Sequence, residues 1–86
     1  MNSHKSTNIQ ENILECLFFL PFGLTQQQIS HLWKIGMFEA SIYIKVSTEE
    51  NLIEIKNMYL ESPIFYLTKE GKEHVLSSLQ EESLHS

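Results

Sequence analysis

The segment from Leu24 to Ile53, LTQQQISHLWKIGMFEASIYIKVSTEENLI, restricts the possible folds more than any other part of the chain. Pro21 and Gly23 break the chain just before it, and it opens on Thr25-Gln26-Gln27-Gln28. That tetrad has the form of a capping box: the Thr hydroxyl accepts from the backbone N–H three residues on, and the Gln reaches back to the Thr N–H. A helix is therefore expected from Thr25, with Ile29, Leu32 and Trp33 as its apolar positions. Gly36 is placed to let the chain turn after it.

The next stretch, Met37 to Asn51, supports two periods. At helical spacing it has one apolar arc of Ala40, Tyr43 and Ile44 and another of Phe38, Ile42 and Val46. At period two, Ile42, Ile44 and Val46 form an alternating β-branched run ahead of a Thr48-Glu49-Glu50-Asn51 turn. Propensity alone favours the strand over Ser41 to Ser47, but the hairpin pattern on its C-terminal side favours the helix. Leu52-Ile53-Glu54-Ile55-Lys56 reads as a strand and Ile64-Phe65-Tyr66-Leu67 as its antiparallel partner. Pro63 stands at the entry to the second strand, where a missing N–H is tolerated, and Asn57 to Ser62 form the hairpin tip.

On the N-terminal side, residues 1–7 are polar and unpatterned and are expected to be disordered. Asn8 or Thr7 caps a helix with Ile9, Ile13, Cys16, Leu17 and Leu20 on one face, which Leu14, Phe18 and Phe19 widen. A helix so apolar in its last turn suits a central position, packed on more than one side. On the C-terminal side, Thr68 is an N-cap for a last helix carrying Val75, Leu76 and Leu79. The domain is expected to span 8–80, with 81–86 a disordered tail.

Eighty-six residues have room for one core. No apolar run approaches the roughly 20 residues of a membrane helix. The N-terminus has no signal-peptide core, because Gln10, Glu11, Asn12 and Glu15 interrupt Ile9 to Leu20. The cytoplasm is the expected compartment. Cys16 is the single cysteine, which excludes an internal disulfide and reads as a small buried apolar residue, not a reactive thiol.

The segment Asn51-Leu52-Ile53, a hairpin, and then Tyr66-Leu67-Thr68-Lys69-Glu70-Gly71-Lys72 resembles the winged helix-turn-helix regulators of the MarR and PadR type. The replication-relaxation proteins of plasmids are similar. The resemblance covers roughly residues 9–80 and implies an α+β fold: a three-helix core, a two-stranded β-hairpin wing and a C-terminal helix. In that frame Thr68 caps the last helix, and Gly71 removes a side chain where that helix packs closely on a neighbouring element. Asn51 replaces the usual Gly and also tolerates a left-handed conformation. Alignment on Leu52-Ile53 puts Ala40, Tyr43, Ile44 and Ser47 on the core side of the third helix and Phe38, Glu39, Ser41, Ile42, Lys45 and Val46 on the side that such regulators present to the DNA major groove.

The sequence supports two functional readings. In the first, the chain is a small dimeric DNA-binding regulator of transcription or of a plasmid or phage. Gln26, Gln27, Glu39, Ser41, Lys45, Lys56 and Asn57 would contact double-stranded DNA. In the second, the same surface holds another protein, in an adaptor or inhibitor role, through Phe38, Ile42 and Val46 with the wing-tip residues Met58, Tyr59 and Leu60. Charge favours the second: the chain has no arginine and a formal net charge of −5, and Lys45 and Lys56 face Glu39, Glu49, Glu50, Glu54 and Glu61 between Gly36 and Ser62. Val75, Leu76 and Leu79, with the surplus apolar face of the first helix, are candidates for a homodimer interface.

Neither catalysis nor a cofactor is expected. His4, His31, His74 and His85 lack a metal-ligand spacing, and no nucleophile–His arrangement or Gly-rich phosphate loop is present. The pairs Glu49-Glu50 and Glu81-Glu82 fall at helix ends or in tails, where solvated charge is ordinary.

Overall fold

A computed structural model describes residues 8–56 and 62–85, with side chains described to residue 81. Among these residues the order is α1 (Ile9–Phe19), β1 (Leu24–Thr25), α2 (Gln26–Trp33), α3 (Met37–Glu49), β2 (Ile53–Lys56), β3 (Ile64–Leu67) and α4 (Lys69–His85). Helix α4 therefore continues past the boundary expected at residue 80. The wing tip, with Asn57, Met58, Tyr59, Leu60 and Glu61, lies outside the described residues.

Local signals act where the residues suggest. Asn8 is the N-cap of α1, its side-chain oxygen accepting from the Glu11 N–H at 3.1 Å. The capping box at α2 is complete: the Gln28 N–H donates to the Thr25 hydroxyl at 3.1 Å, and the Thr25 N–H to Gln28 Oε1 at 2.9 Å. Helix α3 runs unbroken through Ser41 to Ser47 despite its β-branched run. Tertiary packing overrides propensity there, because the helix brings Ala40, Ile44 and Ser47 together on one buried face.

Helix α1 is the centre of the core. Its Ile13, Leu14 and Leu17 pack with Leu24, Ile29, Ala40, Ile44, Ile53, Phe65, Leu67 and Val75, and Leu14, Ile29 and Ala40 have no exposed surface at all. Phe18, Cys16 and Leu20 flank this cluster, whereas Phe19, expected on the same face, is 64% exposed. Glu11 and His74 join α1 to α4 at 2.9 Å.

Three details correct the expectations. The sheet has three strands in the order β1-β3-β2, where a two-stranded hairpin was expected. Leu24 pairs with Phe65 and Thr25 with Ile64, a contact across some forty residues that two residues of sequence do not announce. Gly23 makes it possible: it has φ +79°, and a Cβ there would stand 2.7 Å from the Phe65 carbonyl oxygen. Second, the turn between α2 and α3 is made by Lys34 at φ 54°, not by Gly36, which has an ordinary φ of −70° and caps α3. The Ile35 N–H closes that turn on the Ser30 carbonyl at 3.0 Å, which holds Lys34 in the left-handed region. Third, Leu32 is 54% exposed and not part of the core.

Candidate nucleic-acid interface

Helix α3 follows the α2 turn and ends against the wing, and each end is anchored by hydrogen bonds. At its start, Gln26 Nε2 donates to the Met37 carbonyl at 2.9 Å. Gln26, a candidate DNA contact by sequence, is therefore half-buried and holds the two helices together. At its end, Gln10 Nε2 on α1 donates to Ser47 Oγ at 3.1 Å and to Glu50 Oε1 at 3.0 Å. Gln10 is a positioning residue that the sequence did not single out, because its partners lie 37 and 40 residues away.

The link from α3 to the wing is similarly determined. Asn51 takes the left-handed conformation, φ 62°, that its side chain tolerates. The Leu52 N–H donates to the Ser47 carbonyl at 2.8 Å, and the Leu52 carbonyl accepts from the Thr68 N–H at 3.0 Å. Thr68 has two roles: its hydroxyl donates to the Asn51 carbonyl at 2.6 Å and accepts from the Gly71 N–H at 2.9 Å. A Cβ at Gly71 would stand 2.1 Å from the Leu52 carbonyl oxygen. Thr68 and Gly71 thus carry the roles expected of them, and they fix the approach of α4, α3 and β2 at one point.

With Ala40, Ile44 and Ser47 turned inward, the other face of α3 is open. Phe38 is 80% exposed, Met37 49%, Ile42 44% and Val46 36%. Phe38, Ile42 and Val46 stand on the outward side, as the resemblance implies, and Met37 extends the apolar surface to the start of the helix. The charged side chains there are Glu39, Lys45 and Glu49, all exposed, with Glu50 at the cap. Tyr43 is half-buried and its hydroxyl lies 3.4 Å from Glu39 Oε2. Burial first, and then the Glu39 charge and hydrogen bond, push its phenol above the usual value. Ser41 donates its hydroxyl proton to the Phe38 carbonyl at 2.6 Å, which leaves it an acceptor only.

The remaining candidates are dispersed. Gln27 is exposed on α2. Lys56 is exposed at the end of β2, with its ammonium 4.6 Å from the centre of the Tyr66 ring. Lys56, Lys69 and Lys72 line a cavity with Phe18, Tyr66 and Glu54, between the end of α1, the hairpin and the first turn of α4. Half of the six lysines therefore belong to that cavity, while Lys45 alone stands on α3. Of the proposed dimer residues, Val75 is buried at 2% exposure in the chain's own core and Leu79 packs against that core, so only Leu76, 46% exposed, offers substantial free surface.

No family model matches the chain, and no curated protein matches it in sequence. Solved structures do match. MepR, a transcription regulator of the Staphylococcus aureus multidrug efflux pump MepA, superposes with a TM-score of 0.76 at 23% identity over 91% of this chain. The S. aureus MepR–DNA complex gives 0.76 at 23% identity over 90% of this chain. The heme sensor protein PefR from Streptococcus agalactiae, in complex with heme, gives 0.79 at 21% identity over 93%. This chain spans 62%, 66% and 57% of the length of those three structures, respectively. The likeness establishes a winged-helix fold of the type seen in MarR regulators.

Proposed function

We propose that this chain is a winged-helix regulator that binds double-stranded DNA, with α3 in the major groove and the hairpin wing beside the flanking phosphates. The observation that carries the reading is the placement of α3. It is the second helix of a helix-turn-helix, anchored at both ends by Gln26 and Gln10, with a whole face of side chains directed away from the core. The same fold, over 90% of the chain, occurs in a MepR–DNA complex. Gln27, Glu39, Ser41 and Lys45 would meet the groove and its edge, and Lys56 at the end of β2 the backbone. The role is transcriptional or plasmid or phage control, non-enzymatic and cytoplasmic, with a homodimer matching two half-sites. The test is fluorescence anisotropy with a duplex pool at low salt. Absence of any binding below about 100 μM, where non-specific contacts already operate, would overturn the reading.

One observation favours a second reading, in which α3 holds a protein. The outward face combines four exposed apolar side chains with three carboxylates and one ammonium from Met37 to Glu50. An apolar patch with an acidic rim fits a protein surface with a basic rim. Under that reading Phe38→Asp abolishes the complex while no duplex is bound in either form.

A further inference from the structure

Resting on the DNA-binding reading, we infer that α3 recognises its site chiefly through the 5-methyl groups of thymine, packed against Phe38, Ile42 and Val46. In the major groove guanine is read by Arg or Lys, adenine by Asn or Gln, cytosine N4 by a carboxylate, and thymine by apolar contact with its methyl group. Helix α3, MFEASIYIKVSTE, contains no Arg, Asn or Gln. Its outward line is instead Phe38, Ile42 and Val46, exposed by 80%, 44% and 36%.

Their spacing suits the task. Successive members are four residues apart, which is about 6 Å along a helix axis. Base pairs repeat at about 3.4 Å along one strand, so each apolar side chain meets roughly every second step. Of the polar residues on this face, Ser41 and Glu39 add no attraction for guanine, and Lys45, the single basic side chain of α3, is the one group there that donates to guanine O6 or N7. The Ser41 hydroxyl proton is committed to the Phe38 carbonyl at 2.6 Å, so Ser41 has no donor for guanine or thymine acceptors. Glu39, beside Phe38, repels the O6 and N7 acceptors of guanine and accepts from cytosine N4. The preferred strand therefore carries thymines along the apolar line and cytosine opposite Glu39. Complementary adenines lie on the other strand.

The experiment separates this inference from the reading beneath it. A random-sequence duplex pool is enriched on the full chain at low salt, and the enriched duplex is resynthesised with deoxyuridine for every thymidine. The two bases differ by the 5-methyl group alone. Loss of one buried methyl is expected to weaken binding about 4-fold, and loss of three on the order of 50-fold. In Phe38→Ala and Ile42→Ala chains, both altered at exposed positions, the thymidine-to-deoxyuridine ratio falls toward one. Equal affinity of the original chain for both duplexes overturns thymine readout and leaves DNA binding standing. Failure to enrich any duplex overturns DNA binding, and this inference with it.

Discussion

Replacing Gly71 with alanine tests the joint at which α4, α3 and the wing meet. An added Cβ would stand 2.1 Å from the Leu52 carbonyl oxygen and 3.0 Å from Leu67 Cδ2. The leucine methyl can rotate away. The carbonyl cannot do so alone, because it accepts the Thr68 N–H at 3.0 Å and belongs to the link that carries Asn51. A relaxed carbon–oxygen contact is about 3.3 Å or longer, so backbone on one side must move by on the order of 1 Å. Helix propensity alone favours alanine by roughly 1 kcal/mol. Overpacking at a well-packed position costs about 1–3 kcal/mol, and weakening the Thr68 hydrogen bond adds about 1. The net expectation is a loss of about 1–3 kcal/mol, which in a domain of this size lowers Tm by about 4–8 °C per kcal/mol. Circular-dichroism melts of the two chains measure it directly. The same displacement moves the wing against α3, so duplex affinity is expected to fall as well, even well below Tm. A variant that melts at the same or a higher temperature would show that propensity wins and that Leu52 does not lie against this turn.

Three further outcomes are expected. Ile44→Ala costs about 2–4 kcal/mol in urea unfolding and Ile42→Ala about 0.5 or less, since Ile44 is 8% exposed and Ile42 44%; equal losses would mean that α3 is rotated. The logarithm of duplex affinity falls with the logarithm of salt with a slope no steeper than about −3 per chain, because Lys34, Lys45 and Lys56 are the only lysines from α2 to the end of β2 and the chain has no arginine; a steeper slope measured by anisotropy would require a phosphate contact from elsewhere. Burial pushes the Cys16 thiol up, so less thiolate is present at any pH below its titration, and iodoacetamide alkylation at pH 8 runs slower than for an unstructured cysteine peptide; an equal or faster rate would place Cys16 in solvent.

The parts of the fold that were legible in the residues are those governed by neighbours in sequence. Asn8, Thr25 and Thr68 announce helix starts because a cap bonds to an N–H three residues away, and all three caps form. The faces of α3 come from its period once a helix is chosen, and Phe38, Ile42 and Val46 stand outward as that choice requires. Gly71 was legible through the motif around it, and the Leu52 carbonyl supplies its reason. The illegible parts join distant residues. Gln10 gave no sign of gripping Ser47 and Glu50, Gln26 reads as a groove contact and is a helix clamp, and Val75 reads as interface and is core.

By itself, then, the sequence determines where α1, α2 and α4 begin, the presence of the two wing strands and the arginine-free character of the outward face of α3, since each depends on local hydrogen bonding or on composition. Only the tertiary structure decides that Ser41 to Ser47 is helix and not strand, that Leu24 and Thr25 form a third strand, and that Lys34 makes the left-handed turn. In each case the local preference is weak or contrary, and burial of Ala40 and Ile44, pairing with β3, or closure on Ser30 outweighs it.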